Sequence, residues 1–251
     1  MSETADLVAG RSRPRLALLL GLGLVLFVIL TGLGTWQVQR LHWKEDLLAT
    51  IDKRTHTAPL PLADVEKEFA ASHDVDYTPV TMTGTFLHQG ERHFFSTWQG
   101  DSGFNVYTPL QLEDGRVVLV NRGFVPYDLK DPAKRPQGEV AGKVTVTGLA
   151  RNPLPAKPST MLPDNDVAKN IFYWKDRDVM AASAGLPAGV VLVPFFIDAD
   201  KTPNPGGLPV GGVTIIDLPN NHLQYAVTWY GLAAALAAVL ILRLRRPAKE
   251  A

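Results

Sequence analysis

Leu16–Thr35 reads LALLLGLGLVLFVILTGLGT, 20 residues without a charge. At roughly 1.5 Å per residue, a helix of this length matches the ~30 Å hydrocarbon core of a bilayer. A cleaved signal peptide has a shorter apolar region, about 7–15 residues, followed by a small-x-small site. Here the run leads straight into Trp36, Gln37, Arg40 and Trp43, which predicts an uncleaved anchor. Ala226–Leu242, AVTWYGLAAALAAVLIL, is a second apolar run, 17 residues long. Leu223 and Tyr225 extend it, Trp229 and Tyr230 suit an interfacial belt, and the arginines after it stop it. Gly231 and Ala235 form a small-xxx-small pair, read either as a helix contact or as part of an alanine-rich helix with no dedicated partner. The two spans are expected to pack on each other or on another membrane protein.

Charge sets the orientation. Arg11, Arg13 and Arg15 precede the first run; Arg243, Arg245, Arg246 and Lys249 follow the second. The positive-inside rule puts both flanks in the cytoplasm or matrix, although Arg40 and Lys44 lie close to the opposite face. The first tail is short and contains Glu3 and Asp6, unlike a mitochondrial transit peptide, so a bacterial inner membrane is the expectation. The organisation read from this is a cytoplasmic tail (1–15), a transmembrane helix (16–36), an outer domain (37–224) in the periplasm or intermembrane space, a second transmembrane helix (225–242) and a basic cytoplasmic tail (243–251).

The net charge is zero, but the tails hold 7 of 25 basic and 3 of 25 acidic residues, leaving the middle with 18 and 22, a net −4. A mildly acidic, unclustered domain argues against nucleic acid. There is no cysteine, which excludes disulfides, thiolate metal sites and haem attachment through C-x-x-C-H.

The middle reads as a β-rich, mainly antiparallel α+β domain. The first helix is expected to continue past the membrane, because Trp36–Arg54 contains neither Pro nor Gly, and to stop at Ala58–Pro61. A short helix is expected over Asp64–Ser72. Strands are expected over Tyr77–Phe86, Arg92–Trp98, Phe104–Leu112, Arg116–Val125, Lys143–Leu149, Ile171–Trp174, Val190–Asp198 and Gly212–Ile216, with a helix over Lys175–Ala184. Short connections favour antiparallel pairing and a partly closed barrel.

No phosphate loop, G-x-S-x-G elbow or H-E-x-x-H is present, and no catalytic residue is assigned. His88 and His93, across an expected turn, read as surface histidines or a metal pair; Glu91 and Arg92 beside them read as solvated surface. Arg122, ending a strand, reads as a surface ion pair or as a carboxylate clamp. His222, at the outer mouth of the second span, reads as an axial haem ligand or as an interfacial residue bonded to Asn220 or Asn221. Tyr225, Trp229 and Tyr230 suit either a stacking surface for a macrocycle or an aromatic belt.

Three segments resemble the Surfeit locus protein 1 family of cytochrome c oxidase assembly factors. Leu33–Lys44, LGTWQVQRLHWK, resembles the signature LGxWQxxRxxWK. Asn121–Pro126, NRGFVP, is similar to the family's strand end, with Phe124 where many members have Trp. Asn220–Trp229, NNHLQYAVTW, looks like its approach to the last span. The resemblance implies a bacterial, non-enzymatic assembly factor for aa3-type oxidases. It would bind haem a and assist its delivery to oxidase subunit I, with haem a synthase a further candidate partner. By position it implies His222 as haem ligand; Trp36, Trp229, Tyr225, Arg40 and Arg122 join it as candidate haem-binding residues. The competing reading is a non-catalytic scaffold for oxidase subunits that never ligates haem. Copper delivery lacks thiolate ligands, and a haem-modifying oxidase would need histidines inside the spans, which have none.

Overall fold

Two helices long and apolar enough to cross a membrane lie near the two ends of the chain, flanking a β-barrel domain. The computed structural model describes residues 3–216 and 218–245. Arg246, Lys249 and Glu250 of the basic tail lie outside those residues. The helical hairpin, up to Thr50 and, among the described residues, from Leu218 onward, and the barrel domain, Ile51–Ile216, are separate compact units.

Helix α1 runs unbroken over Glu3–Thr55 and α4 over His222–Arg245. Leu22, Val25 and Ile29 on α1 and Val227, Leu232 and Val239 on α4 are exposed, so both helices present a contiguous apolar surface. Ile51, buried on α1, belongs to the barrel unit; within the hairpin α1 buries Gly23, Leu30, Gly34 and Gln37, and α4 buries Ala226 and Ala233. Their spacing of three, four and seven is a seam along one helix face, and small residues dominate it. A Cβ on Gly23 would stand 2.8 Å from Leu240 Cδ1, and one on Gly34 would stand 2.9 Å from Tyr230 Cε1. Thr35 Oγ1 and Tyr230 Oη share a hydrogen bond at 3.0 Å. These contacts run antiparallel and settle the packing question: the spans pack on each other. The Gly231–Ala235 pair is not the contact, since nothing lies within 4 Å of a Cβ on Gly231. Gly34→Leu should overpack the seam and destabilise the hairpin by about 1–3 kcal/mol, read as an unfolding midpoint shifted to lower SDS in mixed micelles.

The barrel unit contains β1 (Leu60–Pro61), α2 (Leu62–Ser72), β2 (Pro79–Phe86), β3 (Arg92–Trp98), β4 (Asp101–Leu112), β5 (Val117–Pro126), β6 (Lys143–Arg151), α3 (Arg177–Ser183) and β7 (Leu192–Ala199). The sheet order is β1-β2-β6-β7-β5-β4-β3, and β2 also pairs with β4, so β2, β6, β7, β5 and β4 close a ring. Most pairings are antiparallel as expected; β5–β7 and β1–β2 are parallel. The parallel pair is possible because β6 and α3 fall between β5 and β7 in the chain, a connection long enough to return to the same end.

Nearly all of β5 is buried, on both faces. Val118 and Val120 point into the barrel with Val80, Met82, Leu110, Phe195 and Ile197, and α2 adds Leu62 and Val65 to this core. Leu119 points outward into a second cluster with Tyr107, Phe172, Phe196 and Met180 of α3. The Val-Val-Leu-Val run therefore marks a strand covered on two sides.

Two expected strands are absent. Ile171 and Phe172 make only isolated bridges, because the Asn165 side chain accepts the backbone N–H groups of Tyr173 and Trp174 that a strand would use. Gly212–Ile216 is not a strand either. The only bridge nearby is Val210 with Phe124, and Gly212, with φ +70°, turns the chain away after it.

Candidate functional site at the mouth of the helical hairpin

His222 is the first residue of α4. Its backbone N–H makes a long bond, 3.4 Å, to Asn220 Oδ1, so the interfacial contact expected with Asn220 exists but engages the backbone and not the ring. The ring reaches across the hairpin instead: Nδ1 lies 2.7 Å from Gln37 Oε1 on α1. In this orientation of the Gln37 amide its oxygen accepts, so Nδ1 carries the proton and donates it, and Nε2 keeps its lone pair. Among the described residues Nε2 has no hydrogen-bond partner. Gln37 as a residue is 8% exposed, in a seam with Gly34 one turn before it. The sequence segments containing Trp36-Gln37 and Asn221-His222 thus meet, 185 residues apart, in one hydrogen bond.

Of the other candidates in this unit, Trp229 is half-buried and lies on the same face of α4 as His222 and Ala226. Trp36 and Tyr225 are exposed, 51% and 52%. Arg40 stacks its guanidinium over the Trp43 ring, 4.0 Å from the centroid. That cation–π contact leaves the charge at the helix surface while Trp43 shields one side of it.

Arg122 belongs to the barrel unit, and the expected surface ion pair is not there. The side chain is 2% exposed. Its Nη2 donates to Gly138 O and to Asn204 Oδ1, the latter at 3.0 Å, and its guanidinium covers the Phe86 ring at 4.6 Å. No carboxylate pairs with it among the described residues, and Nε and Nη1 have no acceptor. Burial is the main reason its pKa falls to about 10. A cavity of about 250 Å³ adjoins it, lined also by Thr145, Thr147 and Asn204. The neighbours in its motif are structural: Asn121 Nδ2 donates to Asp198 Oδ1 across β5–β7 at 2.9 Å, and Gly123 makes room for Val210.

The region of His88 and His93 also differs from expectation. His88 Nε2 contacts Val140 O at 3.0 Å, while His93 Nε2 donates to Glu91 Oε1 at 2.7 Å. Glu91 is 4% exposed and takes a two-point ion pair from Arg135, itself buried. Glu91 is therefore not solvated surface: the loop carrying Arg135 folds over it. The two imidazoles serve separate hydrogen bonds, and no cluster of three metal-ligating side chains occurs among the described residues.

Haem tests the hairpin mouth differently from a bare metal ion, since the macrocycle brings its own equatorial ligands and needs from a protein one axial donor, apolar cover and a cation. His222 supplies a donor nitrogen, Trp36, Tyr225 and Trp229 supply apolar rings and Arg40 supplies a cation, so the residues fit the group in kind.

Comparison with known proteins decides the family. The SURF1 family matches residues 24–234. The chain belongs to the SURF1 family. It is 38% identical over 221 residues to Surfeit locus protein 1 of Rattus norvegicus, covering 81% of this chain and 68% of that one. It is 37% identical over 233 residues to a SURF1-like protein of Monosiga brevicollis, covering 87% and 85%. With Surfeit locus protein 1 of Homo sapiens the identity is 37% over 222 residues, covering 81% and 70%. The match runs through both helices and the barrel, so the hairpin mouth, with Gln37 and His222, lies inside the family region.

Gln37 is the site residue that residue-type reasoning passed over. The signal for it was present: it is the one polar residue in a stripe otherwise made of Gly23, Leu30 and Gly34.

Proposed function

We propose that this SURF1-family chain is a non-catalytic assembly factor for aa3-type cytochrome c oxidase, which binds haem a at the hairpin mouth and assists its delivery to oxidase subunit I. In this reading both long helices cross a bacterial inner membrane, both termini are cytoplasmic and the barrel is periplasmic. The arginine flanks of the apolar runs support that orientation. Haem a synthase is the candidate donor of the cargo.

One observation carries the haem assignment: the His222 imidazole is held through Nδ1 by Gln37, which leaves Nε2 a lone pair and no protein partner. Iron supplies a Lewis acid to which that nitrogen binds. Trp36, Tyr225 and Trp229 cover the apolar faces and isoprenoid tail of the cargo, and Arg40 attracts a propionate at the interface. A single protein ligand on the rim of two helices suits transient holding better than storage. Arg122, in the separate barrel unit, is proposed as a carboxylate clamp of its own through Nε and Nη1, which have no acceptor.

The full chain purified from membranes should retain haem a and its absorbance bands, and His222→Ala should lose both. Stoichiometric haem on that variant would remove His222 from the proposal. Co-purification of subunit I without haem in either protein would favour the scaffold reading instead.

A further inference from the structure

We infer that Gln37 is a positioning residue that fixes the tautomer and orientation of His222, so that the ligating nitrogen is Nε2. The inference rests on the proposed haem-binding role of His222, but its first test does not need haem. A free histidine at a helix start can rotate and place its proton on either nitrogen. Here a buried amide oxygen stands 2.7 Å from Nδ1. With the amide oxygen facing the ring, as it does here, that oxygen can only accept, so the bond in this orientation requires the proton on Nδ1. The alternative tautomer would require the buried amide to turn over and offer its NH2 group to the ring in place of Oε1. Each group thereby constrains the other.

The chemistry that follows is electronic as well as geometric. A hydrogen bond accepted from the distal N–H of a metal-bound imidazole makes that imidazole a better donor. A neutral amide does this weakly and a carboxylate strongly, so Gln37 sets a ligand of intermediate strength. That suits a protein that must take up a metal group and then release it. Carboxylate–histidine pairs, by contrast, recur where metals are retained. Gln37 also lies on α1 while His222 lies on α4, so the site exists only while the two helices are packed. Separating the hairpin would release the imidazole, which couples haem affinity to helix packing.

The test uses the full chain in lipid nanodiscs. Nitrogen-15 spectra of histidine-labelled protein should show His222 as the Nδ1–H tautomer, and Gln37→Leu should convert it to a mixture. A dominant Nε2–H tautomer in the unmodified chain would overturn the inference. Titration with ferric haem b as probe should then give Gln37→Leu an affinity about 10–100-fold weaker. Gln37→Glu should bind at least as tightly as the unmodified chain and have a lower iron reduction potential. Should Gln37→Leu misfold, the potential of Gln37→Glu still decides, and an unchanged potential counts against the inference. Equal affinity and potential in all three proteins, with haem lost from His222→Ala, would reject Gln37 and leave His222 standing. Haem retained by His222→Ala would reject the ligand assignment itself.

Discussion

Glu91→Leu should destabilise the barrel domain by about 3–5 kcal/mol, because it strands a buried arginine. Arg135 is 2% exposed and gives Glu91 two guanidinium N–H groups; its remaining contacts are the backbone carbonyls of Leu129, at 3.0 Å, and Lys130, at 3.2 Å. None of these neutralises the charge. His93 donates to the same carboxylate, and Asn170 Nδ2 donates to the Glu91 carbonyl at 2.9 Å. The start of β3, the loop after β5 and the turn before Ile171 all converge on this one residue. The double variant Glu91→Leu with Arg135→Met should recover much of the loss, since replacing both buried charges avoids the stranded one. Urea unfolding of the four proteins of this double-mutant cycle measures the coupling; simple additivity would show that the pair is not a unit.

The same carboxylate predicts an acid limb. Burial alone would raise its pKa, but the hydrogen bonds from His93 and Arg135, with their charges, outweigh burial and hold it below the ordinary glutamate value of 4.5. A depressed folded pKa means the stabilisation is complete above the unfolded value and fades as pH falls through the folded one. Unfolding free energy should therefore hold down to about pH 5 and then decline, and Glu91→Leu should lack this component of the decline.

Much of this architecture could be read from the chain, and the reasons differ by element. The hairpin helices were legible because 20 residues without a charge, Pro or break make one long apolar helix, of a length that could cross a membrane. β3 was legible to its ends, and Lys143–Leu149 from its alternation of Val and Thr. The parallel β5–β7 pair was not, since barrel closure is decided by contacts far apart in sequence and no local pattern encodes them. Glu91 was misread for a related reason: in Gln89-Gly90-Glu91-Arg92 it looks like turn chemistry, and the arginine that buries it comes 44 residues later. At the hairpin mouth, residue type picked out His222, the one side chain with obvious coordination chemistry. Gln37 escaped because a glutamine between Trp36 and Arg40 looks like any interfacial residue until the helix seam is drawn through it. The resemblance to the SURF1 family marked both segments, but only the fold joins them.

Gly123→Ala should be among the most damaging single-methyl additions in the chain, exceeding about 4 kcal/mol for the barrel domain. Two independent causes act at one atom. The backbone there has φ +124°, a region that L residues with a side chain rarely adopt. A Cβ at that position would also stand 1.9 Å from Val210 O and 2.7 Å from Gly211 N, both backbone atoms that cannot rotate away. Val210 is held in place on both sides, donating its N–H to Phe124 O at 2.8 Å and accepting from Phe124 N–H at 2.9 Å. Relief would require breaking that bridge, and the segment it anchors also carries Asn204, whose side chain donates to Pro209 O and accepts from Arg122. The loss should therefore spread from Gly123 to the Arg122 pocket. Taking ~2–4 °C per kcal/mol for a domain of this size, the melting temperature should fall by about 10 °C or more. Gly115→Ala is the control, because Gly115 also has positive φ, +82°, but nothing lies within 4 Å of its Cβ position. That variant should lose only the conformational part, about 1 kcal/mol. Equal losses at the two glycines would mean that the close approach of Val210 contributes nothing.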